Sequence, residues 1–223
     1  MKAFWIILVV FSVVSCKNTA NKKESGNEPR PDFVQKETVD GIALFDGQTL
    51  DGWEVTNFGT QGPVKVSDGK IILNYGDGCT GITYTNDFPK NNYQVSLEAK
   101  RVSGNDFFCG ITFPLDTTFC SFIVGGWGGP VVGLSTIDGV DASENATKTV
   151  VNFEKDKWYK IRLQVTGEKI TAWIDDKKVV DFETGNHDIY IRPEVSLSCP
   201  FGIASWNTTS ALQNIRLKYL HKE

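Results

Sequence analysis

Histidine and methionine are nearly missing from this chain, which carries two histidines, His187 and His221, and a single methionine. No Cys-x-x-Cys pair is present either, so a zinc site of ordinary ligand spacing is not expected. An excess of basic charge is also missing. The formal net charge is −4, which gives no reason to expect nucleic acid or anionic lipid as a partner. Sustained helical periodicity is absent beyond the N-terminus, which argues against a helical bundle. The apolar run from Ala3 to Val14 is about a dozen residues long, too short to span a bilayer as a helix.

That run reads as an address. Lys2 precedes it, and it ends in Val13-Val14-Ser15-Cys16, which resembles the lipobox of bacterial lipoproteins. Residues 1–15 would then be a signal peptide. Cys16 would be acylated, become the new N-terminus and anchor the protein to a membrane of the bacterial cell envelope. An ordinary secretory signal with a chance cysteine is the alternative. Residues 16–39 are rich in Lys, Asn, Glu, Ser and Pro and offer little to bury, so they read as a flexible tether. Residues 40–223 remain as one domain.

This domain reads as β throughout. Tyr93, Val95, Leu97 and Ala99 alternate with Gln94, Ser96, Glu98 and Lys100, a period of two. Tyr159 to Thr166 repeats the pattern, and so does Ile170 to Ile174. Asp175-Asp176-Lys177-Lys178 then turns the chain into Val179-Val180-Asp181-Phe182, a hairpin signal. Many short antiparallel strands, each with one apolar face, imply two sheets packed as a sandwich or jelly roll. In jelly rolls that bind glycans, the outer polar face of one curved sheet lines the groove. Glu98 and Trp173 lie on such outer faces and are candidates, although alternation does not say which sheet carries the groove.

The stretch from Gly104 to Glu144 is organised differently. Phe107, Phe108, Ile111, Phe113, Phe119, Phe122, Ile123 and Val124 supply enough apolar β-formers for two core strands. Around them stand Asn105, Asp106, a Gly-Gly-Trp-Gly-Gly run centred on Trp127, and the acidic residues Asp138, Asp141 and Glu144. Glycines on both sides of a tryptophan let the backbone pass close to another group and leave the indole face uncovered. Sugars are held by such an aromatic face with carboxylates or amides at the rim. A glycine-rich hairpin with a core tryptophan is the competing reading. Asp138, Asp141 and Glu144, with loop carbonyls, could also hold a divalent cation such as Ca²⁺.

With Cys16 as the anchor, Cys79, Cys109, Cys120 and Cys199 remain, an even number for an exported protein. Cys109 and Cys120 sit on two expected strands and could face one another across a hairpin. Three pairings are possible, and buried free thiols are equally compatible with the sequence.

Leu44-Phe45-Asp46-Gly47-Gln48-Thr49-Leu50-Asp51-Gly52-Trp53 resembles the opening signature of a bacterial family. This is the 3-keto-α-glucoside 1,2-lyase/3-keto-2-hydroxy-glucal hydratase domain, also called the 3-keto-disaccharide hydrolase domain. The Glu98 strand, the Trp173–Asp181 hairpin and Gln213-Asn214-Ile215-Arg216-Leu217 match further, so the resemblance spans about residues 42 to 220. It implies a concanavalin A-like jelly-roll sandwich of two antiparallel sheets. Typical members show an Asn-Ser-Gly strand and then a Glu-containing strand leading to an Asp. Here GNDFFCGITF and CSFIVGGWGG stand in their place, with only Asn105 and Gly110 similar to that pattern. The family's catalytic residues are therefore not carried over.

Two functions follow. The resemblance implies an enzyme cleaving 3-keto-glucosides by elimination across C-1/C-2 and hydration, a net hydrolysis. Its candidate carboxylates are Asp106, Glu98, Asp138, Asp141 and Glu144, with Asn105 and Arg101 as donors and Trp127, Trp173 and Trp206 as sugar contacts. Asp106 is favoured as base because it opens a core strand. The alternative is a non-catalytic glycan-binding lipoprotein using the tryptophans. Two carboxylates converging within reach of one sugar ring beside Trp127 would favour the enzyme, and a groove lined only by aromatics would favour binding.

Overall fold

The structure, a computed structural model, describes residues 37–38 and 41–220. The signal-like leader and Cys16 lie outside the described residues. Of the expected tether only Glu37–Thr38 is described, and it forms strand β1, paired with β2 (Gly41–Ala43).

The described residues form two antiparallel sheets, and the fold is the all-β, concanavalin A-like jelly-roll sandwich. The larger sheet is built on β7 (Tyr93–Gly104), which pairs with β12 (Tyr159–Val165) on one side and β16 (Thr208–Tyr219) on the other. Beyond β12 lie β13 (Lys169–Ile174) and β14 (Lys177–Glu183). Strand β16 also pairs with β2 and with β5 (Lys70–Leu73), and β5 pairs with β4 (Val64–Ser67). The hairpin read at Asp175-Asp176 is the β13–β14 turn, and Asp175 takes the left-handed backbone (φ 52°) that it requires.

The smaller sheet runs in the order β11 (Thr149–Val150), β10 (Val131–Ser135), β9 (Thr118–Gly126), β8 (Cys109–Leu115), β15 (Gly202–Trp206), β6 (Cys79–Tyr84) and β3 (Trp53–Val55). Between the sheets, Tyr93, Val95, Leu97 and Ala99 meet Cys109, Ile111, Phe113, Phe122 and Val124 in one core. The opening signature is structural. The buried Trp53 indole donates to Leu44 O at 2.7 Å, while the Asp46 carboxylate accepts from the Gln48 and Thr49 amides at 2.7 and 2.8 Å. Burial is the largest single effect on Asp46 and pushes its pKa up, but these hydrogen bonds together outweigh it and hold the carboxyl below its usual value.

The two sheets differ on their outer faces. In β7 and β12, buried residues alternate with partly exposed ones, as the sequence pattern requires. In β6, β8 and β10 every residue is buried, because loops cover the second face. The 136–148 loop lies over β10, where Thr147 Oγ1 accepts from Leu134 N at 2.9 Å and a Cβ on Gly133 would press on Ala142 and Thr147. A short 3₁₀ helix, Pro193–Ser198, covers β6, β8 and β15. A Cβ on Gly202 would stand 2.7 Å from Ser198 O, so only glycine lets the helix settle there.

The described cysteines are free. Cys109 pairs in register with Val124, and Cys120 with Phe113, so the two thiols are displaced along the β8–β9 hairpin instead of facing one another. Burial pushes the Cys79 and Cys120 thiols up to about 12 and Cys109 further in the same direction.

Candidate functional site

The covering of the smaller sheet is incomplete. Between the Trp127 turn and the Pro193–Ser198 helix it leaves a cavity of about 250 Å³. Asp106, Trp127, Arg192 and Glu194 stand around it with Phe107, Ile123, Val195 and Trp206, and Ser121 and Ser135 lie on the sheet below. Its size is below the roughly 300–1,000 Å³ of drug-sized ligand pockets. It suits a small ligand better than an oligosaccharide.

Trp127 sits at the tip of the β9–β10 connection with φ 49°, and its side chain is 39% exposed. The turn closes by Gly129 N donating to Gly126 O at 3.1 Å. Arg101 holds it from inside the sandwich. Its Nη2 donates to the carbonyls of Gly125 (3.2 Å) and Gly129 (3.0 Å), one on each side of Trp127. The guanidinium also lies 5.2 Å from the Phe108 ring. Burial lowers the Arg101 pKa from the ordinary arginine value, against smaller opposing effects of Asp106 and Tyr159. The structure thus puts Arg101 behind the turn, where it positions Trp127 and does not line the cavity.

Asp106 does line it. Its Oδ1 accepts from Phe107 N at 2.7 Å and its Oδ2 from Gly128 N at 3.2 Å, so the carboxylate also braces the tryptophan turn. Its own amide donates to Thr208 Oγ1 at 3.1 Å, and Thr208 Oγ1 donates to Asp106 O at 3.2 Å. Both bonds fix its backbone to β16. The turn-type contact and the cavity position therefore coexist. Asn105, next to it, is exposed at the outer surface.

Sequence reasoning missed Arg192 and Glu194. Arg192 donates to Glu194 through Nε (3.2 Å) and Nη2 (2.7 Å) and to Asp141 Oδ2 through Nη1. The paired arginine holds Glu194 below its usual carboxylate pKa, and Glu194 and Asp141 in turn raise that of Arg192. Asp141 also accepts from Ser135 Oγ at 3.1 Å. The signal was faint in sequence, an Arg-Pro-Glu in a segment with no periodicity.

The remaining candidates are dispersed. Asp138 accepts from Asp188 N at 2.8 Å and pairs with His187 Nδ1 at 2.6 Å, and the His187 bond is the leading cause of its lowered pKa. Glu144 is exposed on the loop. Asp138, Asp141 and Glu144 thus have separate surroundings, and among the described residues no three acidic, histidine or cysteine side chains gather to hold a metal ion. Glu98 and Trp173 lie on the outer face of the other sheet. There Glu98 accepts from Gln213 Nε2 at 2.6 Å beside a polar depression of about 630 Å³. Trp173 is covered by the Arg162 guanidinium at 4.1 Å. Trp206 does line the cavity, beside Phe107.

The two-sheet sandwich fold is shared with solved structures of glycan-active proteins. The β-glucanase of Bacillus licheniformis superposes with a TM-score of 0.52 at 10% identity, over 81% of this chain and 97% of that one. The exoplasmic domain of VIP36, solved with Ca²⁺ and Man3GlcNAc, gives 0.53 at 11%, over 81% and 89%. A Parabacteroides distasonis protein provisionally described as a glycosyl hydrolase gives 0.55 at 16%, over 80% and 93%. At these identities the likeness concerns the fold. No curated protein matches the chain. The profile of the 3-keto-alpha-glucoside-1,2-lyase-like domain matches residues 40–218, and the chain belongs to that family. Family and fold together make it a carbohydrate-acting protein.

Proposed function

We propose that the protein cleaves 3-keto-glucosides by elimination across C-1 and C-2 followed by hydration. The observation that carries this reading is that two carboxylates, Asp106 and Glu194, line one cavity beside Trp127, together with Arg192, which is paired to Glu194 and Asp141. A ketone at C-3 acidifies the hydrogen on C-2. Asp106, braced by two backbone amides, is the base that removes it. Charge then develops on the C-3 oxygen, where the Arg192 guanidinium, kept in place by Glu194 and Asp141, can stabilise the enolate. The C-1 to oxygen bond breaks, and the leaving oxygen takes up the proton that Asp106 has removed from C-2, which returns Asp106 to its carboxylate. Water next adds across the new double bond, with hydroxyl to C-1 and a proton to C-2, giving net hydrolysis.

The Val13-Val14-Ser15-Cys16 pattern supports delivery to the cell envelope as a lipid-anchored protein. Membrane association that survives Cys16→Ser, with no loss of lipid mass, would refute that part.

The test of the reaction is incubation of the protein with 3-keto-glucosides and their unoxidised parents in heavy water. Release of sugar from the keto compounds alone, with deuterium at C-2, is expected. Product without label at C-2 would mean direct displacement at C-1. Saturable sugar binding with no turnover would leave a glycan-binding module, the reading that an exposed Trp127 also favours.

A further inference from the structure

The cavity has two chemically different ends. Asp106, Trp127, Arg192 and Glu194 form its outer end, and all are at least partly exposed. The inner end is closed by Phe107, Ile123 and Val195, which are 9%, 5% and 7% exposed, and by the partly buried Trp206. Ser121 and Ser135 are the polar side chains there, and both are engaged within the protein. Ser135 Oγ donates to Asp141, and Ser121 Oγ lies 3.4 Å from Thr112 Oγ1.

A second sugar in this inner end would bury hydroxyls with little to bond to, each a desolvation cost without return. An aromatic ring faces no such penalty and can pack against Phe107 and Trp206. Resting on the reaction proposed above, we infer that the substrates are 3-keto-glucosides with a compact aromatic aglycone. The oxidised sugar occupies the outer end beside Asp106 and Trp127, and the aglycone fills the inner end. The small volume limits that aglycone to about one ring. A hydrophobic end of this kind selects by shape and desolvation, which discriminates by roughly 10–200-fold.

The experiment compares kcat/KM of the full chain for phenyl 3-keto-glucoside and for a 3-keto-disaccharide with glucose as the leaving sugar. In parallel, binding of free phenol is followed by calorimetry. The phenyl compound should be favoured by about tenfold or more, and phenol should bind saturably and compete with it. Trp206→Ala should erase most of that preference for the phenyl compound over the disaccharide. Phe107→Leu, a milder change, should reduce the preference in the same direction with folding intact. Equal or better turnover of the disaccharide, or no saturable phenol binding, would overturn the inference. Saturable phenol binding, lost in Trp206→Ala, with no turnover of any 3-keto-glucoside would overturn the reaction while upholding the aromatic pocket.

Discussion

The outer faces of the two sheets invite comparison because each carries a carboxylate and a tryptophan. On the larger sheet Glu98 lines a broad polar depression and Trp173 stands on the same outer face, each already engaged by a neighbour, Gln213 and Arg162. On the smaller sheet Asp106 and Trp127 stand at the mouth of a cavity that loops have built over the strands. The residue types are the same, but the surroundings are not. Loops close only the inner end of the cavity, against buried Phe107, Ile123 and Val195, and a hydrogen-bonding group acts more strongly the more water is excluded beside it. The two faces differ in covering and not in composition.

The sharpest way to break this comparison is to neutralise one carboxylate on each face. Asp106→Asn removes the base and turns an NH2 donor toward one of the two backbone amides it serves, so kcat should fall about 10²–10⁴-fold while stability falls by no more than about 1–3 kcal/mol. Glu98→Gln should leave kcat within about twofold. The reverse ranking in steady-state assays would transfer the site to the larger sheet.

A second test concerns what holds the mouth in shape. Arg101→Met removes a buried donor and strands the Gly125 and Gly129 carbonyls, so unfolding in urea should show a loss of about 3 kcal/mol. A loss below about 1 kcal/mol would show that the turn stands without it.

The tryptophans give a smaller contrast. Trp127→Ala should weaken ligand binding by about 1–3 kcal/mol in calorimetry with little change in stability. Trp173→Ala should change binding by less than about 0.5 kcal/mol. Equal effects would mean that both faces take part.

The smallest effect is a pH dependence. The Arg192 partner lowers the Glu194 pKa in the folded protein, so its stabilisation is present above the ordinary glutamate pKa of about 4.3 and fades as pH falls through the lower folded value. Glu194 is largely solvent-screened, so Glu194→Gln should cost well under about 1 kcal/mol at neutral pH. The gap from the unaltered protein should close in acid. A gap that widens on acidification would refute the assignment of the shift to Arg192.

The same comparison explains how much could be read from sequence. The alternation of Tyr93 to Lys100 and of Tyr159 to Thr166 is the signature of a sheet with one wet face, and it appears directly as β7 and β12. Alternation names faces without saying which face a loop will cover, so it put Glu98 and Trp173 among the candidates. Trp127 and Asp106 were legible because glycines and a strand mouth mark them locally. Phe107 and Ile123 looked like ordinary core residues, since an apolar side chain beneath a loop has the same composition as one between sheets. Arg192 and Glu194 were silent because the segment that carries them has no period, and the 136–148 loop and β10 reach them only through the fold. Asp141 was legible as an acid, but not as the partner of Arg192.

Arg101 has one more consequence. It belongs to β7 of the larger sheet, yet its guanidinium grips the carbonyls of a turn in the smaller one. It therefore works as a mechanical tie between the two sheets. With that tie closed, the rim does not have to be assembled when a ligand arrives, and binding avoids the ordering cost a slack loop would impose. The protein should meet its ligand as a stiff receptacle whose mouth widens only when the two sheets part.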